Sequence, residues 1–297
     1  MAGAGAHRCG YVTIVGRPNV GKSTLLNRLT GLKVSITSRK PQTTRNAITG
    51  IVTRSHAQTI LVDTPGFQTR FGSALNRGMN RVVTQSLAGV DAVLMVVEAL
   101  KFGAEDRRLL EMLPVGKPVL LVINKTDRVA DRKRLLPFIK QLSEQRDFAE
   151  IVPISAAKGK GIEKLLELTA KYLPQGPAIH AADEITEASE RFLAAELIRE
   201  KIFRLLGDEL PYVSAVIIDD FVEEPGLRRI QASIIVDKDT HKGIVIGARG
   251  ARLKEIASAA RHDMEKLFGD KVFLEVWVKV KPGWIDDARF LKRIGHD

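Results

Sequence analysis

Apolar residues fall into two different patterns along the 297-residue chain. Up to residue 173, short and nearly continuous apolar runs alternate with longer amphipathic stretches. The runs at 11–15, 48–52, 59–63, 92–98, 118–124 and 151–154 predict strands. Most are apolar at successive positions, the mark of strands covered on both faces. Helical spacing of apolar residues at 23–30, 105–113 and 163–172 falls between them. This alternation predicts an α/β domain with a mostly parallel sheet over residues 8–174.

The pattern then changes. Pro174 and Pro177 bracket Gln175 and Gly176, and residues 183–190 are acidic, so 175–188 reads as a linker. A second, α+β domain is expected over 189–297. Its elements are a long helix at 189–206, strands at 213–221 and 227–236, a glycine-marked turn at 247–250, a helix reaching 268 and a final strand at 272–281. That strand puts Val272, Leu274, Val276, Val278 and Val280 on one face, and Glu275, Trp277 and Lys279 on the other. No internal repeat or low-complexity segment interrupts either half.

Composition adds exclusions. With 44% hydrophobic and 27% charged residues the chain is neither disordered nor fibrous, and its length suits two domains. Cys9 is the single cysteine, so no intrachain disulfide or cysteine-rich zinc site forms, which suits a reducing compartment. Residues 1–10 lack the apolar core of a signal peptide, and the longest apolar runs are far below the ~18 residues of a membrane span. A soluble, cytoplasmic monomer is expected. The net charge of +11 is unevenly placed: residues 1–175 carry 27 basic and 13 acidic residues, residues 176–297 carry 19 and 22. A basic surface of this kind points to a polyanion, either nucleic acid or an anionic membrane.

The candidate chemistry sits at the ends of predicted strands. Gly16, Arg17, Pro18, Asn19, Val20, Gly21, Lys22 and Ser23 fit G-x-x-x-x-G-K-[ST], after a strand and before a helix, the context of a phosphate-binding loop. Its backbone N–H groups and helix start favour negative charge. Lys22 is placed to reach the β- and γ-phosphates and the Ser23 hydroxyl to bind Mg²⁺, with Thr24 beside it. Asp63, Thr64, Pro65 and Gly66 end the third strand, where a carboxylate can hold Mg²⁺ and the Gly66 N–H can meet the γ-phosphate. Asn124, Lys125, Thr126 and Asp127 end the fifth. The Asp127 carboxylate can accept both donors of the guanine N1–H and 2-amino edge, which adenine lacks. Ser155, Ala156 and Ala157 follow the sixth strand and supply backbone N–H to guanine O6. Between the first helix and second strand lie Gln42, Thr43, Thr44 and Arg45, where Thr44, with Thr43 as runner-up, is expected to ligate Mg²⁺ and sense the γ-phosphate. Lys22, Thr44 and Gly66 are the catalytic candidates.

Four of these in order, Gly16 to Ser23, Asp63 to Gly66, Asn124 to Asp127 and Ser155 to Lys158, resemble a translation-factor-class GTPase domain. Phe67 follows Gly66 where related enzymes carry a water-orienting Gln, and Gln68 is one place displaced. In this respect the chain is similar to the hydrophobic-substituted GTPases. That resemblance implies a K⁺ ion held with the help of Asn19, and slow intrinsic GTP hydrolysis speeded by a partner.

In the second half, Gly247, Ala248, Arg249 and Gly250 form G-x-x-G within a helix–strand–strand–helix–strand run, which resembles a type II KH domain. In KH folds the glycines admit a single-stranded nucleic-acid backbone. Arg249 would meet phosphate, with Ile244 and Ile246 supporting bases. Residues 226–281 hold 12 basic and 7 acidic residues, so this core is locally positive.

A GTPase domain followed by a KH domain resembles the Era family of ribosome-assembly GTPases. Further matches are Thr37 to Lys40, Glu209 to Tyr212 and Trp277 to Trp284. Family members commonly carry Lys where Arg249 stands; charge is kept, but the two side chains present it differently. The resemblance implies GTP and GDP binding with Mg²⁺, binding of the 16S rRNA 3′ end through the KH domain, assistance to 30S subunit assembly, and peripheral association with the inner face of the cell membrane. Three competing readings are a plain RNA-binding protein with a structural nucleotide site, a membrane-attached switch with no RNA client, and a GTPase for another RNA.

Overall fold

The computed structural model describes residues 7–38, 40, 43–67, 74–207, 209–287 and 290–291. It divides into two compact units: Met1–Ser35 with Thr44–Glu187, and Ala188–Asp297 with the short segment Ile36–Thr43.

The first unit is an α/β domain. Its elements in chain order are β1 (Arg8–Val15), α1 (Lys22–Thr30), β2 (Ile48–Thr53), β3 (Ala57–Asp63), α2 (Ala74–Ala88), β4 (Ala92–Glu98), α3 (Ala104–Met112), β5 (Val119–Asn124), α4 (Leu135–Ser143), β6 (Glu150–Pro153) and α5 (Ile162–Ala170). The six strands are ordered β2-β3-β1-β4-β5-β6, parallel except for β2, which runs antiparallel to β3. Every residue of β5 and all but the last of β4 are buried, which is why those runs show no alternation. Helices α2 and α4 were not among the predicted elements. Val83 and Leu87 of α2, and Phe138 and Leu142 of α4, join one apolar cluster with β4 and β5.

Residues 175–187 lie along β2 and β3 within this unit. The Ile51 N–H donates to the Ile185 carbonyl (2.8 Å), Thr186 Oγ1 to the Thr49 carbonyl (2.5 Å), and Gln58 Oε1 accepts from the N–H groups of Ile179 (2.8 Å) and His180 (2.9 Å). The edge strand's free backbone groups are thereby partly satisfied.

The second unit carries α6 (Glu190–Leu205), β7 (Ser214–Glu224), β8 (Leu227–Val236), α7 (Asp239–Ile246), α8 (Ala251–Phe268) and β9 (Lys271–Val280). Ser189 caps α6, its hydroxyl accepting from the Phe192 N–H at 3.2 Å. Central β8 pairs antiparallel with β7 and parallel with β9. Helices α6 and α8 cover one face through Leu197, Ile198, Ile202, Ile256, Ala260 and Met264, and the predicted inward residues of β9 pack there. Trp284, Phe290 and Leu291 cover part of the other face. Helix α7 is additional to the sequence expectation, because its apolar residues Ile244, Val245 and Ile246 are consecutive and carry no helical period. Among the described residues no helix is long and apolar enough to cross a membrane.

Segment Ile36–Thr43 belongs to this second unit through α6. Ile36 enters its core. Buried Glu200 accepts from the Thr37 N–H (3.0 Å), the buried Arg199 guanidinium donates to the Thr43 carbonyl, and Lys40 Nζ donates to the Leu206 (2.7 Å) and Gly207 (2.9 Å) carbonyls.

Candidate functional site

β1 ends at Val15, and the loop that starts at Gly16 turns back into α1 through two residues with positive φ, Asn19 (63°) and Gly21 (104°). A Cβ on Gly21 would also collide with Asn124 Nδ2, so both conformation and space require glycine there. Lys22 is buried, and its Nζ donates to the carbonyls of Gly16 (3.0 Å) and Arg17 (3.3 Å). Burial pushes this ammonium down to about 8, against the raising effect of Asp63. The Arg17 Nε pairs with the buried Asp106 carboxylate at 3.1 Å.

The opposite wall comes from β5. Asn124 is buried and bridges two loops: its Nδ2 donates to the Val20 carbonyl (2.9 Å) and its Oδ1 accepts from the Ala156 N–H (3.0 Å). Lys125, also at positive φ (63°), sends Nζ to the Asn19 carbonyl and to Glu98 Oε2, each at 2.6 Å. Thr126 Oγ1 donates to the Ile154 carbonyl (2.8 Å). Asp127 is exposed, and the Ser155 hydroxyl donates to its Oδ1 at 2.5 Å. That bond, with nearby Arg128 and Lys158, lowers the Asp127 pKa against slight burial. The carboxylate is therefore charged at neutral pH. Arg28 Nε and Nη2 hold the Ala156 (3.1 Å) and Ala157 (2.9 Å) carbonyls.

The third wall is an oxygen cluster. Ser23 Oγ donates to Asp63 Oδ2 (2.7 Å) and lies 2.9 Å from Thr44 Oγ1, while Ser35 Oγ donates to the same Asp63 oxygen (2.9 Å). Asp63 is fully buried, and its Oδ1 has no hydrogen-bond partner among the described residues. Burial raises its pKa; Lys22, Ser23 and Ser35 oppose that. A buried carboxylate oxygen without a donor, beside two hydroxyls, is a set of hard ligands suited to Mg²⁺. Thr64 ties the end of β3 to β1 through Oγ1 and the Ile14 carbonyl (2.9 Å). Gly66 lies against Pro18. Phe67 is buried in the apolar cluster of β4 and β5 rather than facing this cleft. Gln42 and Gln68 lie outside the described residues.

Sequence reasoning therefore located the strand-end residues, and the fold brings them together. It missed Glu98, Ser35, Arg28 and Asp106. Glu98 had a signal, as the one charged residue closing an otherwise apolar strand; Ser35 had none.

The second candidate site is in the other unit. Gly247 (φ 71°), Arg249 (φ 51°) and Gly250 (φ 80°) all take positive φ in the turn between α7 and α8. Arg249 is exposed. Ile244 is 55% exposed on α7, whereas Ile246 is partly buried against the core. Only Ile244 is thus offered to a ligand as an open apolar surface.

An α/β unit with this phosphate loop, a carboxylate at its guanine-side loop and a following KH unit defines a GTPase joined to an RNA-binding domain. Family models match accordingly, one described as 50S ribosome-binding GTPase over residues 11–125 and one as KH domain over 209–285. The chain is 54% identical over 294 residues to GTPase Era of Nitrosomonas eutropha, covering 99% of both chains. It is 53% identical to GTPase Era of Neisseria meningitidis serogroup C, covering 98% of this chain and 96% of that one. Among solved structures, an Aquifex aeolicus Era variant bound to GDP and AlF4⁻ superposes with a TM-score of 0.93 at 40% identity, over 97% of this chain and 99% of that one. Era in complex with MgGDPNP and nucleotides 1506–1542 of 16S ribosomal RNA also gives 0.93 at 40% identity, over 98% and 99%. The chain belongs to the Era family, and it is a GTPase.

Proposed function

We propose that this GTPase binds the 3′ end of 16S rRNA through its KH unit in a nucleotide-controlled way and assists assembly of the 30S subunit. The observation that carries the reading is the positive-φ turn with exposed Arg249 on a KH fold, in a chain whose structural relative was solved with MgGDPNP and a 16S rRNA fragment.

On the nucleotide side, the N–H groups of residues 16–24 cradle the phosphates, and Lys22 exchanges its loop carbonyls for β- and γ-phosphate oxygens. Asp127 reads guanine, with Ala156 and Ala157 presenting N–H at O6. Ser23, Thr44 and Asp63 hold Mg²⁺, which when bound neutralises charge developing on the phosphates. Thr64, Pro65 and Gly66 place the Gly66 N–H for the γ-phosphate. Phe67 is buried and cannot orient water, so hydrolysis relies on positioning and on charge, with Asn19 the residue for a K⁺ ion. Turnover in K⁺ against Na⁺ tests that ion.

On the RNA side, Gly247, Ala248, Arg249 and Gly250 receive the backbone, and exposed Ile244 flanks the bases, with Ile246 behind it packed against the core. The test is binding of a labelled strand copying the 16S rRNA 3′ end, with GTP analogue, GDP or no nucleotide, at one fixed salt concentration. Tight binding with the analogue alone is expected. Equal binding in all three removes the switch, and no binding removes the RNA target.

A further inference from the structure

The first unit carries a cationic surface that the nucleotide site does not use. Residues 126–146 contain six basic and three acidic residues. Arg146 is committed to structure, its Nη2 donating to the Pro114 carbonyl at 2.8 Å. Arg132, Lys133, Arg134 and Lys140 are all exposed, and among the described residues none has a carboxylate partner. They are held in order rather than strung on a loose loop. Asp131 Oδ1 accepts from the Lys133 N–H (3.0 Å), fixing the short turn Arg132–Arg134 directly before α4. Phe138 and Leu142 point α4 into the core. Helical spacing then turns Leu136 and Lys140 outward beside the turn, and Leu136 is 74% exposed.

We infer that this turn and the outer face of α4 form a second RNA-docking surface, which takes the phosphate backbone of double-helical RNA. The inference rests on the rRNA reading above, extended to a surface of the GTPase unit. The chemistry favours duplex phosphate over single-stranded bases: the one aromatic residue in 126–146, Phe138, is buried, so the surface offers no aromatic platform on which successive bases stack. Phosphate contacts position a protein without reading sequence. A membrane surface is the poorer match, because Leu136 alone among 126–146 offers a large exposed apolar side chain for insertion.

The test compares two RNAs with the full chain in the presence of GTP analogue. One is the 16S rRNA 3′-terminal single strand; the other is that strand extended by a duplex of about 16 base pairs. The variant R132Q/K133Q/R134Q is set beside K133Q/K140Q and the unaltered protein. The surface predicts unchanged affinity for the short strand. It predicts a loss on the order of 10-fold or more for the duplex-bearing RNA, with the slope of log K against log salt shallower by roughly 0.9 per contact removed. Equal affinity of all three proteins for the duplex-bearing RNA overturns the inference. So does a loss confined to flotation with phosphatidylserine-containing vesicles. Failure of the unaltered protein to bind the short strand sinks the KH reading instead, while the duplex slope still decides this one.

Discussion

Glu98 Oε2 accepts a hydrogen bond from Lys125 Nζ at 2.6 Å, and the same ammonium reaches the Asn19 carbonyl at 2.6 Å. One carboxylate at the end of β4 therefore fixes a lysine that joins the guanine-side loop to the phosphate loop. Lys101 approaches the other oxygen of Glu98 at 2.6 Å. Glu98→Gln keeps the shape and removes the charge. It should weaken GTP and GDP alike by about tenfold, equivalent to about 1.4 kcal/mol, with kcat within about twofold, because the pair acts on bound nucleotide and transition state equally. Titrations with both nucleotides, together with single-turnover rates, check this.

The same residue gives a pH signature. Burial alone would raise the Glu98 carboxyl, but hydrogen bonds and charge from Lys101 and Lys125 outweigh it and hold the group at about 2. A carboxyl whose folded value lies below its unfolded one contributes stability above the unfolded value, near 4.5, and loses it as pH falls toward 2. Urea midpoints between these limits should fall less steeply for Glu98→Gln than for the unaltered chain.

Asp127→Asn changes the base that is read. In the proposed site the carboxylate, fixed by the Ser155 hydroxyl at 2.5 Å, is the acceptor for guanine; an amide offers a donor, which suits the xanthine 2-carbonyl. Preference should move from GTP toward xanthosine triphosphate by about 100-fold or more. Competition between the two nucleotides measures it, and a retained GTP preference removes Asp127 from base recognition.

Much of this site was legible because its residues must follow strand ends at fixed spacing. Gly16 to Ser23, Asp63 to Gly66 and Asn124 to Asp127 can be read in order from the sequence alone. Glu98 and Ser35 were hidden for a physical reason. Their roles depend on β4 lying beside β5 (Glu98 pairs in register with Asn124) and on Ser35 and Thr44, both distant in sequence from Asp63, returning to its side. Neither proximity leaves a periodic trace. Helix α2 was missed because Gly78 and the polar residues Asn80, Arg81, Thr84 and Gln85 dilute its apolar positions. The segment Ile36–Thr43 leads into the stretch read from the sequence as a nucleotide-sensing loop, and only the buried charges of α6 show what holds it.

Gly66 admits no side chain. A Cβ there would lie 2.8 Å from the Cα, N and Cγ of Pro18, and the first two are backbone that cannot swing aside. Gly66→Ala must part the Asp63–Gly66 segment from the phosphate loop. A displacement of about 1 Å at reacting groups costs about 100-fold in rate, so hydrolysis should fall by that order while GDP affinity, which needs no γ-phosphate contact, holds within a few-fold. Phosphate release under single-turnover conditions and GDP titration separate the two.

Arg199 bears on the nucleotide site through the chain itself. Its guanidinium is buried, donates to the Thr43 carbonyl and is held by Glu196, with Nε to Oε1 at 2.7 Å. Thr44, the next residue, puts its hydroxyl 2.9 Å from Ser23. Arg199→Met leaves Glu196 charged, buried and unpaired, which should cost roughly 3–5 kcal/mol in urea unfolding. Arg199→Met with Glu196→Leu removes both charges and should recover most of that. The double variant still leaves Thr43 without its donor, so a smaller fraction of molecules holds Thr44 at Ser23, and apparent affinity for a state that needs Thr44 falls by that fraction. Binding of the GTP analogue with Mg²⁺ should therefore weaken several-fold in the double variant while GDP binding stays level. Equal weakening of both nucleotides would mean that Arg199 serves only the stability of its own unit.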